Sequence, residues 1–223
     1  LFPMYYLVAA ITLLAIGCVF ENAAQYHAAY AIKTRFMDLC GNLFLFPFEF
    51  YDKSFRLVPP TWSVGVELIG YFSLWLFIAR SRQTVWISLI LTTAIHAAIY
   101  FVWNGCWVQS YAPAYAALLP FSLGSAIYHL GPWPTLGKYF YWIAGGFLAN
   151  LLWVGHGGGL EYRWFQQFFY LNMALAFLLV AALPTRTSKW DRILGDFAYP
   201  VFLVHWLCGL VMSRVLALPV RGG

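Results

Sequence analysis

Ser63 and Glu67 stand four residues apart behind a proline pair, in Pro59-Pro60-Thr61-Trp62-Ser63-Val64-Gly65-Val66-Glu67, and no further charge follows until Arg80. The prolines stop any preceding helix, and Thr61 or Ser63 is placed to cap the next one. On a helix this spacing puts the Ser63 hydroxyl and the Glu67 carboxylate on one face. A carboxylate inside an apolar span costs several kcal/mol unless it is paired, hydrated or neutral, and by default it marks a site that handles protons or substrate. The plainer alternative is that Glu67, little more than a turn from the interface, reaches water or bonds a neighbouring helix.

A second pattern runs Leu194-Gly195-Asp196-Phe197-Ala198-Tyr199-Pro200-Val201-Phe202-Leu203-Val204-His205-Trp206. It reads as a glycine turn leading into a helix, with Pro200 in the tolerant first turn. His205, well inside that helix, is either a proton carrier or a bundle residue donating one hydrogen bond. His96 and His129 have no partner pattern and read as structural. Gly155-His156-Gly157-Gly158-Gly159 contains a string found in some esterase oxyanion holes, but no G-x-S-x-G elbow accompanies it, and it reads as a flexible outer loop. Arg80 and Arg82 close an apolar block. They are headgroup anchors, or contacts to the phosphates of a nucleotide-bearing donor. The four cysteines form no CxxC pair and no metal-ligand spacing, so no metal is expected. Cys40 and Cys106 both fall on the predicted outer side, which leaves a disulfide between them conceivable.

The elements that carry these residues follow from composition. Of 223 residues, 62% are hydrophobic and 9% charged, and the mean hydropathy is +0.71. A soluble domain needs about 25% charged residues to cover its core. Apolar blocks at 2–20, 61–79, 84–103, 112–130, 139–155, 165–183 and 197–218 approach the ~20 residues that cross ~30 Å of hydrocarbon. Without water each must be a helix. The expected fold is all-α, a polytopic transmembrane helix bundle with about seven spans in one domain, 1–223, and the lipid bilayer as its partner. The apolar stretch 36–51, broken by Gly41, Pro47 and Glu49, reads as an interfacial or re-entrant piece of an outer loop, 21–60.

Arg80, Arg82, Lys138, Arg186, Lys189 and Arg192 lie in segments that alternate with nearly uncharged ones. They are assigned to the cytoplasmic side, which puts Thr61 outside. Lys33, Arg35, Lys53 and Arg56 then lie outside against the rule, on a loop long enough to translocate despite them. The net charge of +5 is scattered over loops rather than gathered in a stripe, which excludes nucleic acid as a partner. The chain opens on Leu1-Phe2-Pro3 without a charged leader or cleavage site, and both of its ends read as cuts in a longer chain.

The Trp-Ser-Val-Gly-Val-Glu stretch behind its proline pair resembles the Ser-x-x-x-Glu motif of the acyltransferase-3 family. These membrane enzymes move acyl groups, often acetyl from acetyl-CoA, onto sugars of surface polysaccharides, lipopolysaccharide, Nod factors or macrolides. Leu1-Phe2-Pro3-Met4-Tyr5-Tyr6 resembles the end of the family's Arg-Ile-x-Pro-x-Tyr segment. Leu119-Pro120-Phe121-Ser122-Leu123-Gly124 resembles its Phe-x-x-Gly helix start, and 194–205 its Gly-x-x-Ser-Tyr-x-x-Tyr-Leu-x-His segment. The four occur in family order over nearly the whole chain.

The resemblance implies an O-acyltransferase in a bacterial inner membrane, with acyl-CoA as donor and a carbohydrate as acceptor. It implies that Glu67 orients or charge-balances a catalytic histidine or polarises the acceptor, that Ser63 bonds nearby, and that His205 lines the cavity. The family's bundle has ten helices, and its candidate catalytic His lies on the first, with a basic residue upstream. Neither is present here, nor are the basic residues that precede the Pro-x-Tyr segment. The base is therefore expected upstream of Leu1, and one further helix beyond Gly223. Two other readings stand beside this one: a transporter using Glu67, His96 and His205 as a proton or substrate path, and a degenerate relative acting only as a membrane partner.

Overall fold

The structure is a computed structural model that describes residues 2–19, 23–26, 28–31, 36–45, 55–102, 107–111, 113–131, 133, 135–158, 162–183 and 189–216. Every element among them is helical, so the fold is all-α. In chain order the α-helices are α1 (Phe2–Leu14), α2 (Ala23–Tyr26), α3 (Phe36–Phe44), α4 (Thr61–Ser73), α5 (Arg82–Val102), α6 (Trp107–Tyr111), α7 (Ala114–Leu130), α8 (Phe140–Trp153), α9 (Tyr162–Ala182) and α10 (Lys189–Val215). Three of them run on as wider π-helical turns, α1 through Ala15–Val19, α4 through Leu74–Ile78 and α8 through Val154–Gly158.

Two helices, α5 and α3, bury polar residues and expose apolar ones. α5 buries Ser88, Thr92 and His96 beside Val85 and Ile99, and exposes Trp86, Ile87, Ile90 and Leu91. α3 turns Asp38 and Asn42 inward and leaves Phe36, Leu39, Leu43 and Phe44 outside. Water penalises such apolar faces, whereas hydrocarbon penalises unpaired polar groups and draws them inward to meet one another.

Among the described residues, three helices are long and apolar enough to cross a membrane: Thr61–Ile78, Arg82–Val102 and Gly195–Val215. Phe2–Cys18 and Gln167–Ala182 are apolar but shorter. That is fewer than seven. α7 occupies an expected position, but with 17 residues it reaches ~26 Å at 1.5 Å per residue, short of ~30 Å of hydrocarbon; α8 with its π-helical turns covers 140–158 but is not among the helices long and apolar enough to cross.

The chain divides into two compact units, Leu1–Val66 with Thr187–Gly223, and Glu67–Arg186; the boundary falls inside α4. In the first unit α1 packs on α10, around a cluster of Tyr5, Val8, Ala9, Leu45, Val58, Val64 and Leu203. A second cluster joins Ile16, Ala23, Tyr30, Phe55 and Leu210. In the second unit α5 lies along α7, and α8 forms a hairpin with α9, tied where the Asn150 amide donates to the Phe168 carbonyl at 3.2 Å. α5 begins on a reciprocal cap. The Thr84 amide donates to Ser81 Oγ at 3.2 Å and the Ser81 amide to Thr84 Oγ1 at 2.9 Å, which satisfies two N–H groups that no earlier turn can serve.

Two local expectations are corrected. α10 starts at Lys189, so Gly195 makes no turn and Pro200 lies deep in the helix rather than in its first turn. An interior glycine costs only about 1 kcal/mol, and membrane helices tolerate proline where neighbouring groups take up the freed carbonyl. Gly155–Gly158 form no loop either, because π-helical turns carry α8 through them. Lys33, Arg35, Lys53, Cys106, Gly159 and Arg186 lie outside the described residues, and with them the Cys40–Cys106 pairing; Cys40 itself is a free thiol.

Candidate functional site

Three of the four stretches singled out in the sequence meet in the first unit. Tyr5 of the Pro-x-Tyr segment, Val58 and Val64 around the proline pair, and Leu203 of α10 share one cluster, with Tyr199 and Phe202 packed against it. The lead into α4 is held tightly. Thr61 donates to the Val58 carbonyl from its amide at 3.0 Å and its hydroxyl at 2.8 Å, and Ser63 does the same to Pro60 at 3.1 and 2.9 Å. Both hydroxyls thus point back at the preceding turn as donors, rather than accepting from the helix as N-caps do. Ser63 remains half-buried with its oxygen lone pairs unused by the described residues.

Glu67 begins the second unit on the same uninterrupted helix, one turn beyond Ser63. It is half-buried, and among the described residues its carboxylate meets no hydrogen-bond donor and no cation. One turn further on, Gly70 lies against Phe121 of the Phe-x-x-Gly stretch, whose ring stands edge-on to Tyr71 at 5.5 Å. A Cβ at Gly70 would sit 2.1 Å from the Phe121 ring, so this position admits no side chain unless the ring moves. Gly70→Ala is expected to cost about 1 kcal/mol, the low end for overpacking because a half-buried ring can swing. Phe121→Leu in the same chain should restore the loss, and equal midpoints of unfolding for wild type and Gly70→Ala would show that the contact is not tight.

His205 is exposed on α10 between the rings of Phe202 and Trp206. Its Nδ1 lies 2.5 Å from the Phe202 carbonyl oxygen. A carbonyl only accepts, so Nδ1 carries the proton, and a neutral ring keeps Nε2 as a free acceptor. Arg80 folds back on its own helix: Nε donates to the Trp75 carbonyl at 3.3 Å, and the guanidinium lies 5.9 Å from the Trp75 ring centroid. Nearby, His129 Nε2 donates to the Ala79 carbonyl at 2.9 Å. Arg82, the first residue of α5, is exposed. Among the described residues no three of His, Cys, Asp and Glu are grouped to hold a metal ion.

Sequence reasoning missed two arrangements. Asp38 and Asn42, four apart on one face of α3, are both buried and hold the strand of chain that leads to α4. Two polar residues at helical spacing in an apolar nine-residue segment were the available signal. The other is His96. Pro120 has no N–H, so the Ala116 carbonyl lacks its helical donor. His96 Nε2 supplies it at 2.9 Å, and Nδ1 then accepts from the Tyr170 hydroxyl at 3.0 Å. One imidazole thereby joins α5, α7 and α9.

No family, characterised protein or solved structure matches the chain. Any reading of its function rests on these residues and on the motif resemblance.

Proposed function

We propose that the chain belongs to an integral membrane O-acyltransferase, multi-pass in a bacterial inner membrane, that moves an acyl group, most simply acetyl, from acyl-CoA to a carbohydrate hydroxyl. The observation that carries this reading is Glu67: a half-buried carboxylate on an apolar helix, without a protein partner among the described residues and one turn past Ser63. Such a group is too costly to retain for packing. Seven membrane crossings within these residues belong to the same reading.

A sugar hydroxyl is a weak nucleophile at neutral pH, so a base must take its proton as the oxygen attacks the thioester carbonyl and the CoA thiolate leaves. The resemblance assigns that base to a histidine on the family's first helix. Glu67 orients it and balances the charge it acquires, Ser63 bonds alongside, and by the same resemblance His205 lines the cavity. Arg80 and Arg82 stand on the cytoplasmic side, where acyl-CoA is. Arg82 is the freer of the two, since Arg80 is occupied with Trp75. Arg82→Ala should raise the KM for acyl-CoA roughly tenfold with kcat unchanged, the scale of one lost charge-assisted hydrogen bond; an unaltered KM would leave the arginines as headgroup anchors.

The test is transfer of label from acetyl-CoA by the purified complete protein to carbohydrate acceptors. Labelled ester supports the reading. Substrate flux into vesicles without any ester would favour the transporter reading, which His96 does little to support because both its nitrogens are engaged.

A further inference from the structure

The chain before α4 is fastened by side chains that mimic a neighbouring strand. The Asn42 carboxamide takes hold of the backbone two residues apart: Oδ1 accepts from the Leu57 amide at 2.9 Å, and Nδ2 donates to the Phe55 carbonyl at 2.9 Å. The same Nδ2 donates to the Asp38 carbonyl at 2.8 Å, which fixes the orientation of the amide. One turn earlier on α3, Asp38 Oδ1 accepts from the Phe55 amide at 3.0 Å. The Arg56 amide between them donates to the Ala29 carbonyl at 2.9 Å. Three successive N–H groups are thus held, in a segment with no helix or sheet of its own.

The far side of α3 is fixed as well. The Tyr5 hydroxyl donates to the Asn42 carbonyl at 2.7 Å, and Tyr6 to Leu43. Leu45 then ends α3 at φ 61°, a left-handed conformation that costs a non-glycine residue about 1–2 kcal/mol, offset by a side chain only 1% exposed in the core cluster. Strain of this kind persists where the surroundings over-determine the backbone.

We infer that Asp38 and Asn42 are positioning residues: they set where α4 begins and the angle at which the chain enters it, and so place Ser63. This rests on the proposed acyl transfer for its meaning in catalysis, though not for its structural content. Buried backbone groups must find partners, and a loop between the Asn42 clasp and the Pro59-Pro60 stop has no slack with which to let the helix start drift.

Asn42→Asp is nearly isosteric but replaces a donor with a charged acceptor facing two carbonyl oxygens. In the complete protein, hydrogen–deuterium exchange should quicken roughly tenfold at Leu57 and at Thr61–Ser63, the loss of about one net hydrogen bond. Acyl transfer should lose roughly 10²-fold in kcat with little change in KM for acyl-CoA, the scale of a small misplacement of catalytic groups. The kcat losses of Asn42→Asp and Ser63→Ala should also fail to multiply in the double variant, as they must if one acts through the other. Leu39→Ala on the outer face of α3 should change neither exchange nor kcat.

If Asn42→Asp does not accumulate as folded protein, Asn42→Ala, which drops the same bonds without adding charge, carries the same test. Wild-type protection at Leu57 and Thr61–Ser63 in these variants overturns the inference. So does faster exchange with kcat unchanged. If wild-type protein transfers no acyl group, the functional reading fails while the exchange rates alone still decide whether the clasp sets the helix start.

Discussion

Glu67→Gln in the complete protein is expected to lower acyl transfer by about 10²-fold or more, the usual scale for lost acid–base assistance, without lowering stability. The two halves of that expectation belong together. Glutamine keeps the shape and the hydrogen-bonding reach of the side chain and removes its charge. A half-buried carboxylate that meets no donor or cation among the described residues is paid for in desolvation, so its neutral isostere should leave the midpoint of unfolding unchanged or raised. A residue kept for packing would show the reverse, a small change in turnover and a loss of stability. The loss should fall on kcat rather than on KM for acyl-CoA, as when an interaction is made only in the transition state. Transfer at the wild-type rate by Glu67→Gln would remove this residue from the mechanism.

His96→Leu is expected to cost about 2 kcal/mol, because it leaves an acceptor buried without a donor rather than merely deleting a bond. The acceptor is the Ala116 carbonyl, orphaned by Pro120 and rescued by His96 Nε2; the Tyr170 hydroxyl loses its acceptor at the same time. The origin of the cost suggests its cure. Pro120→Ala restores an amide that can bond Ala116 within α7, so the double variant should regain much of the lost stability. Measured as midpoints of unfolding in mixed detergent, the two changes should be strongly non-additive. Additive losses would mean that His96 holds the helices by packing alone, its bond to Ala116 being incidental.

The same pair shows where sequence reasoning stopped. His96 carried no pattern because its partners lie 20 and 74 residues away, and a proline's unmet carbonyl announces a need without naming the donor. Helices bounded by strong local chemistry were legible: α4 starts directly after its proline pair, and α5 runs from Arg82 to Val102 across an uncharged stretch. α10 was misjudged at its start because a lone glycine inside a helix costs only about 1 kcal/mol, too little to end it; its apolar span, Gly195–Val215, lies close to where the sequence put it. The glycine run after Trp153 misled as well. At the candidate site, the spacing of Ser63 and Glu67 was readable because it is internal to one helix. The hold of Asp38 and Asn42 was not, since it joins α3 to a loop more than ten residues on, and their two polar side chains were outweighed by the greasy ones around them.

The inverted faces of α3 and α5 carry a consequence for how such a chain assembles. Outward Leu, Ile, Phe and Trp are as content against lipid tails as against another helix, so they provide no preference among neighbours. The choice of neighbour is then written in a sparse alphabet of amides and one imidazole: Asn42 on the chain at Phe55 and Leu57, Asn150 on Phe168, and His96 on Ala116 and Tyr170. The outward residues can be exchanged for others of like oiliness with little effect on assembly, while a single methyl in place of one of those letters leaves a helix inserted, upright and unsure of its company.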